Sequence, residues 1–256
     1  MAGNYQGAIA LLNKLGISTV DGLESLLNTL MILHVHQPIS GNKIASLSCS
    51  GGEASLIADL AEPLHFTFPK LSSKQKRKLK SALGDLVHLS NPLDYQTYVW
   101  NDQVKLTVAF KTMMEETYDF LFIIMDLPKQ GRCSSDSWHP AIAALKEAKK
   151  IAKCPVGLIT SLEENMPEKF AKDLIKHSII PLTGLENSLA AVKALQNVSI
   201  QWKIKSTPSI IWECWPNEKS RVLDEYQSKK VLSRIGINVP KGFVITDKNS
   251  LIHKFR

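Results

Sequence analysis

Residues 42–198 are predicted to form a three-layer α/β domain around a parallel sheet. Three observations predict it. Short apolar runs, bounded by turn residues, recur at 44–48, 120–125 and 156–160. Between them lie longer stretches with the 3–4-residue apolar spacing of helices. The connections are short, and strands that alternate with helices in this way pair in parallel through right-handed crossovers.

Each element has a local reason. Ala8–Leu15 carries helical spacing, and Gly16 is a stop that tolerates the left-handed region. Asp21 is the expected N-cap of a second helix running to Leu33. His34, Val35, His36, Gln37 and Pro38 read as a linker, ended by Pro38 and Gly41. Ile44–Ser48 reads as a strand, Ser50-Gly51-Gly52 as a tight turn and Glu53–Ala61 as a helix. Ser72–Leu83 is a basic helix, followed by a polar loop around Asn91-Pro92. Val104–Glu116 is helical, and Phe120–Met125 is a buried strand. Pro140–Ala152 is a helix with proline at its start. Val156–Thr160 is a strand, Glu168–His177 a helix, Ile179-Ile180 a brief strand and Glu186–Leu195 a further helix. Residues 201–219, with Pro208 and Pro216, read as a linker, and Ser220 as the start of the last helix. Layers in this order predict a flavodoxin-like domain at 42–200. Residues 1–41 then read as two helices plus a linker, and 220–256 as a separate segment.

Composition narrows the class. Of 256 residues, 44% are hydrophobic and 21% charged, an ordinary globular balance. No apolar run reaches the roughly 18 residues of a membrane span. The N-terminal Met1-Ala2-Gly3-Asn4 lacks a basic and apolar leader pattern. Cys49, Cys133, Cys154 and Cys214 are widely scattered, so neither a disulfide framework nor a metal site is expected, and a cytoplasmic location fits. The net charge of +7 favours acidic partners, among them nucleotide and CoA phosphates. Lys70, Lys74, Lys76, Arg77, Lys78 and Lys80 lack interleaved aromatics. With Leu71, Leu79 and Leu83 they read as a solvated helix face, so a nucleic-acid partner is not expected. The seven histidines read as structural or surface residues, none being paired at ligand spacing.

Two motifs carry chemistry. Ser48-Cys49-Ser50-Gly51-Gly52-Glu53-Ala54-Ser55 lies between a strand and a helix. Its glycines let the backbone approach a ligand, and the helix N-terminus directs unpaired N–H groups and a positive dipole end at it. Ser50, Gly51, Gly52 and Glu53 are therefore the candidate phosphate-binding residues; the same glycines also suit a purely structural turn. Ser90-Asn91-Pro92-Leu93-Asp94-Tyr95 is a loop in which Asn91 and Asp94 are candidate site neighbours. Asp94 would hold a cation or position backbone there, or serve an Asx turn.

In order, these pieces resemble the ADP-forming (NDP-forming) acyl-CoA synthetases, relatives of succinyl-CoA synthetase. Ala2-Gly3 with Tyr5 and the helix to Gly16-Ile17 resembles the end of the family's middle domain, which implies that 1–41 is a helical remnant of that preceding domain plus a linker. Ser48 to Asp59 is similar to the opening of its next CoA-ligase domain. Ser90 to Tyr95 with Trp100 is similar to its "NPLDYTT-x-x-W" loop. Leu223-Asp224-Glu225-Tyr226-Gln227-Ser228-Lys229 resembles the start of its ATP-grasp domain. The resemblance implies interconversion of acyl-CoA, ADP and phosphate with acid, CoA and ATP through a phosphohistidine. CoA, ATP or ADP, and Mg would be the parent enzyme's cofactors. Its partners would be the remaining family domains, in cis or as subunits, and the small acid. The catalytic histidine is expected upstream of Met1 and the ATP-grasp lysines beyond Arg256. The chain alone is expected to be inactive. The resemblance also admits the regulatory half of a protein acetyltransferase, and charge alone a basic binding module.

Overall fold

A computed structural model describes residues 4–129, 131–203 and 222–245. The chain divides into two compact units, Met1–Pro208 and Ser209–Arg256. The first holds helices α1 (Tyr5–Lys14) and α2 (Leu23–Val35), then β1 (Ile44–Ser48), α3 (Gly51–Ala61), α4 (Ser73–Leu83) and β2 (Leu93–Asp94). There follow α5 (Gln103–Met114), β3 (Phe120–Ile124), α6 (His139–Lys149), β4 (Val156–Thr160), α7 (Glu168–Lys176), β5 (Ile180–Thr183) and α8 (Leu185–Trp202). The five strands are all parallel, in the order β2-β1-β3-β4-β5. That is the flavodoxin-like order, as expected from the alternation of elements.

The sheet is buried on both faces, which explains why its strands read as unbroken apolar runs. In β3, Leu121 and Ile123 point to the layer built from α4, α5, α6 and α7. Phe120, Phe122 and Ile124 point to the layer of α2, α3 and α8. Phe120 and Phe122 pack ring on ring at 4.6 Å.

Capping chemistry fixes several helix starts. Ser72 accepts from the Gln75 amide while the Gln75 side chain accepts from the Ser72 amide, a reciprocal capping box. Helix α4 buries Gln75, Leu79, Ala82 and Leu83 and pairs Lys78 with Glu115 at 2.7 Å and Lys80 with Asp85 at 2.8 Å. The lysine run is thus the outer face of a packed helix.

Other boundaries differ from the sequence reading. Helix α2 starts after Gly22, whose φ of 86° only glycine adopts easily, not after an Asp21 cap. It continues through His34 and Val35, and the extended His36 ends it. Packing on the sheet carries α8 to Trp202, seven residues past the expected Leu195. The polar loop contains a strand, β2, whose two residues pair with Leu47 and Ser48. Asn91 does the strand's work further along β1. Its Oδ1 accepts from Ser46 N at 3.2 Å, and its Nδ2 donates to the carbonyls of Ile44 (3.1 Å) and Pro69 (3.2 Å). Helix α2, read as part of a preceding domain, packs on α8 and β5 within the first unit.

In the second unit, α9 (Glu225–Arg234) is capped by Asp224, whose carboxylate accepts from Gln227 N at 2.7 Å. Ser220, the expected helix start, lies outside the described residues, as do Ala2-Gly3 and Cys214. Among the described residues no helix is long and apolar enough to cross a membrane.

Candidate functional site

Sheet order decides where a ligand can sit. From β1 the chain crosses to β2 on one side, and from β2 it returns to β3 on the other. β1 and β3 stay paired through Leu47 and Ile123, and the connections leaving them run to opposite faces of the sheet, the switch point where open α/β sheets place their ligands. The Cys49-Ser50-Gly51-Gly52 turn leaves β1 at this point.

The turn is held from within. Ser48 Oγ donates to the Ser50 carbonyl at 2.9 Å. Ser50 is the N-cap of α3, its Oγ accepting from Glu53 N at 3.5 Å. Gly51 and Gly52 are the first two residues of the helix and both are exposed. Their N–H groups have no intrahelical carbonyl to reach, so two donors and the positive end of a dipole face the crevice. A Cβ on Gly52 would meet only Ser50 Oγ at 3.6 Å, whereas one on Gly51 would stand 3.2 Å from Asp94 Oδ2. Glycine at 52 thus leaves room for a ligand, and Asp94 already lies against the helix start.

Carboxylates surround these donors. Asp94, in register with Ser48 across β1 and β2, accepts from the backbone and side-chain nitrogens of Gln96. Asp126 follows β3 and accepts from Ser161 N at 2.6 Å. Burial, and then the charges of Asp126 and Asp94, push the Glu53 carboxyl up from 4.5 to about 7. Its Oε2 is buried with no hydrogen-bond partner. Burial, followed by the Glu53 charge, likewise pushes the Cys49 thiol up to about 11, so at neutral pH it is a thiol and not a nucleophile. Tyr95 is fully buried, edge-on to Phe110 at 5.3 Å. Burial first, then Cys49, Glu53 and Asp94, hold its phenol well above the usual range.

The structure therefore brings Ser50, Gly51, Gly52, Glu53 and Asp94 together. It sets Asn91 apart, against the middle of β1. Asp126 and Tyr95 join the cluster without having been read from the sequence. The usable signal was their place: Tyr95 follows edge strand β2, and Asp126 lies two residues past the end of β3. Among the described residues, no group of three His, Cys, Asp or Glu side chains is arranged to hold a metal ion. The arrangement suits a different chemistry, in which an anion approaches two backbone donors beside a carboxyl that carries its proton near neutrality.

That carboxyl sets a pH dependence of stability. Glu53 is protonated in both folded and unfolded chains below about pH 4.5, where it costs nothing. Between about pH 4.5 and 7 the unfolded chain ionises while the folded protein keeps its proton, so the native state loses stability across that window and the loss is complete above about 7. A fully buried group with this rise would cost about 3 kcal/mol, but Glu53 is only half-buried. Glu53→Gln is therefore expected to be more stable than wild type by about 1–2 kcal/mol at alkaline pH, with the gap closing in acid. Urea melts across the pH range check this.

No protein-family model and no curated protein sequence matches the chain. Solved structures do. PH0766 from Pyrococcus horikoshii OT3 aligns with a TM-score of 0.63 and 22% identity, over 79% of this chain and 46% of its own. The dinucleotide forming acetyl-coenzyme A synthetase 1 of Ca. Korarchaeum cryptofilum aligns in its apo form with a TM-score of 0.59 and 16% identity, covering 78% of this chain and 43% of its own. In complex with phosphate and ADP, the same enzyme gives a TM-score of 0.60 at 16% identity, over 78% and 42%. The likeness is one of fold. The chain spans less than half the length of each of these structures.

Proposed function

We propose that this chain is the flavodoxin-like part of an acid–CoA ligase (ADP-forming), and that the N-terminus of α3 receives the phosphoryl group. The parent reaction interconverts acyl-CoA, ADP and phosphate with the acid, CoA and ATP. One observation carries the reading. Two open backbone donors at a helix N-terminus face the switch point of a 2-1-3-4-5 sheet, which is the electrostatics an incoming phosphoryl oxygen needs. The shared fold with an acetyl-coenzyme A synthetase supports it. Gly51 and Gly52 bind the anion through their N–H groups, Ser50 holds the helix start, and burial, then Asp126 and Asp94, keep the proton on Glu53. The phosphorylated histidine, CoA, nucleotide and Mg belong to the other parts of the enzyme.

With Glu53 ionised, three carboxylates face the entering anion. Once it is protonated, the donors and dipole dominate. Anion binding is therefore stronger below about pH 7 than above it.

Gly52→Val tests the site. A Cβ at position 52 meets only Ser50 Oγ, at an ordinary 3.6 Å, and valine costs no more helix propensity than glycine, so the fold is expected to persist. Its branched side chain covers the donors. Phosphate-induced shifts of the residue 51–53 amides are expected to vanish while the circular dichroism spectrum stays unchanged. In the parent ligase, phosphoryl transfer is expected to fall by at least about 100-fold, the usual scale for losing an oxyanion donor. Wild-type binding and turnover in this variant would remove the loop from the mechanism.

A further inference from the structure

The start of α3 offers an incoming anion an acceptor as well as donors. Asp94 Oδ2 stands 3.2 Å from the point that a Cβ on Gly51 would occupy, so a carboxylate flanks the first open N–H group of the helix. Its position is fixed. Asp94 is in register with Ser48 across β1 and β2, its Oδ1 accepts from Gln96 N at 2.9 Å, and its Oδ2 accepts from Gln96 Nε2. Both oxygens already act as acceptors, and a carboxylate oxygen can take a second hydrogen. A further group points to a ligand here. Tyr95 Oη is fully buried and has no hydrogen-bond partner among the described residues, and Cys49, Glu53 and Asp94 are the groups whose charges act on it. Buried hydroxyls nearly always have a partner, so this one is placed to serve what enters between those side chains.

Donors beside a fixed acceptor suit an anion that carries a proton. Above neutrality phosphate and sulfate are dianions of one shape, but hydrogen phosphate keeps an O–H and sulfate has none. We propose that Asp94 selects hydrogen phosphate over sulfate at this site, accepting the phosphate O–H while the N–H groups of Gly51 and Gly52 donate to its other oxygens. No proton leaves the phosphate. Sulfate offers the same carboxylate only a bare oxygen, and that repulsion is the filter. Asp94 holds this role rather than its neighbours: Glu53 Oε2 is buried, and Asp126 is drawn towards Ser161 N at 2.6 Å. The inference rests on the reading of the α3 start as the phosphoryl site, and adds which oxyanion is admitted there. One hydrogen bond to a charged group favours phosphate by on the order of 10–100-fold.

Titration of the full chain with phosphate and, separately, with sulfate tests this, following the amides of residues 51–53 above neutrality. Wild type is expected to bind phosphate on the order of 10–100-fold more tightly than sulfate. Asp94→Asn keeps the acceptor for Gln96 N, so its circular dichroism spectrum is expected to stay unchanged, but it sets an N–H donor where the second oxygen stood. The preference is expected to collapse to within about threefold, chiefly because sulfate binds more tightly. Glu53→Gln removes a neighbouring charge and leaves Asp94 in place. It is expected to keep the preference, which separates the filter from general repulsion of anions. Sulfate that binds wild type as tightly as phosphate, a preference that survives Asp94→Asn, or one that Glu53→Gln abolishes overturns this proposal alone. Phosphate that moves none of the three amides overturns it together with the reading beneath it.

Discussion

Replacing Phe122 by alanine is expected to remove about 4 kcal/mol of stability and to lower the melting temperature by roughly 8–16 °C. Phe122 lies in the middle strand of five and is fully buried. Its ring faces the α2–α3–α8 layer and stacks on Phe120. Truncation loses both the transfer free energy of the ring and the contacts of everything that lined it. The layer cannot close over the gap, since Asn28 pins α2 to edge strand β5 through Thr183 and Ser25 ties α2 to Asn187 of α8. Leu86→Ala, at a position 81% exposed, is expected to change stability by less than about 0.5 kcal/mol. Chemical denaturation of both variants checks the contrast; similar costs for the two would place the core wrongly.

Asn91→Ala is expected to cost about 3 kcal/mol, a drop of roughly 6–12 °C. Beyond its two paired residues, β2 leaves the outer edge of β1 without a strand. The Asn91 amide fills that place, accepting from Ser46 N and donating to the Ile44 carbonyl, with a second donation to Pro69. Alanine leaves these half-buried backbone groups unpaired. Asn91→Asp is expected to be no better, because it keeps the acceptor but turns a charged oxygen towards two carbonyls. Thermal melts of both variants decide whether the donor–acceptor pair matters. A harmless Asn91→Asp would show that it does not.

How legible each feature was in the sequence depended on how local its cause is. Strands β1, β3 and β4 could be read directly, because burial on both faces leaves only apolar residues in them. Ser72 and Gln75 announced the start of α4 through a capping box that needs no tertiary partner. Strand β2 could not be read. Two residues carry no periodicity, and only pairing with Leu47 and Ser48, some 46 positions away in sequence, makes them a strand. Apolar spacing found helix α2 but not its orientation. Hydrogen bonds from Ser25 and Asn28 to Asn187 and Thr183 decide which face is buried, and they outweigh Leu23, Leu26, Leu27, Leu30 and Leu33, which stay exposed. The site followed the same rule. The Ser50-Gly51-Gly52 turn is a local signal, while the convergence of Asp94 and Asp126 on Glu53 is set by strand order, which exists only in the folded sheet.

The central claim is that the start of α3 is an anion site gated by the proton on Glu53. Amide shifts of Gly51, Gly52 and Glu53 during titration with phosphate test it most directly, with sulfate as a probe whose charge does not change with pH. Saturable shifts at these amides are expected at about pH 6, weakening several-fold by about pH 8, with Glu53→Gln binding equally at both. Amides at 51–53 that fail to move with either anion at either pH, while the chain remains folded, would contradict the account.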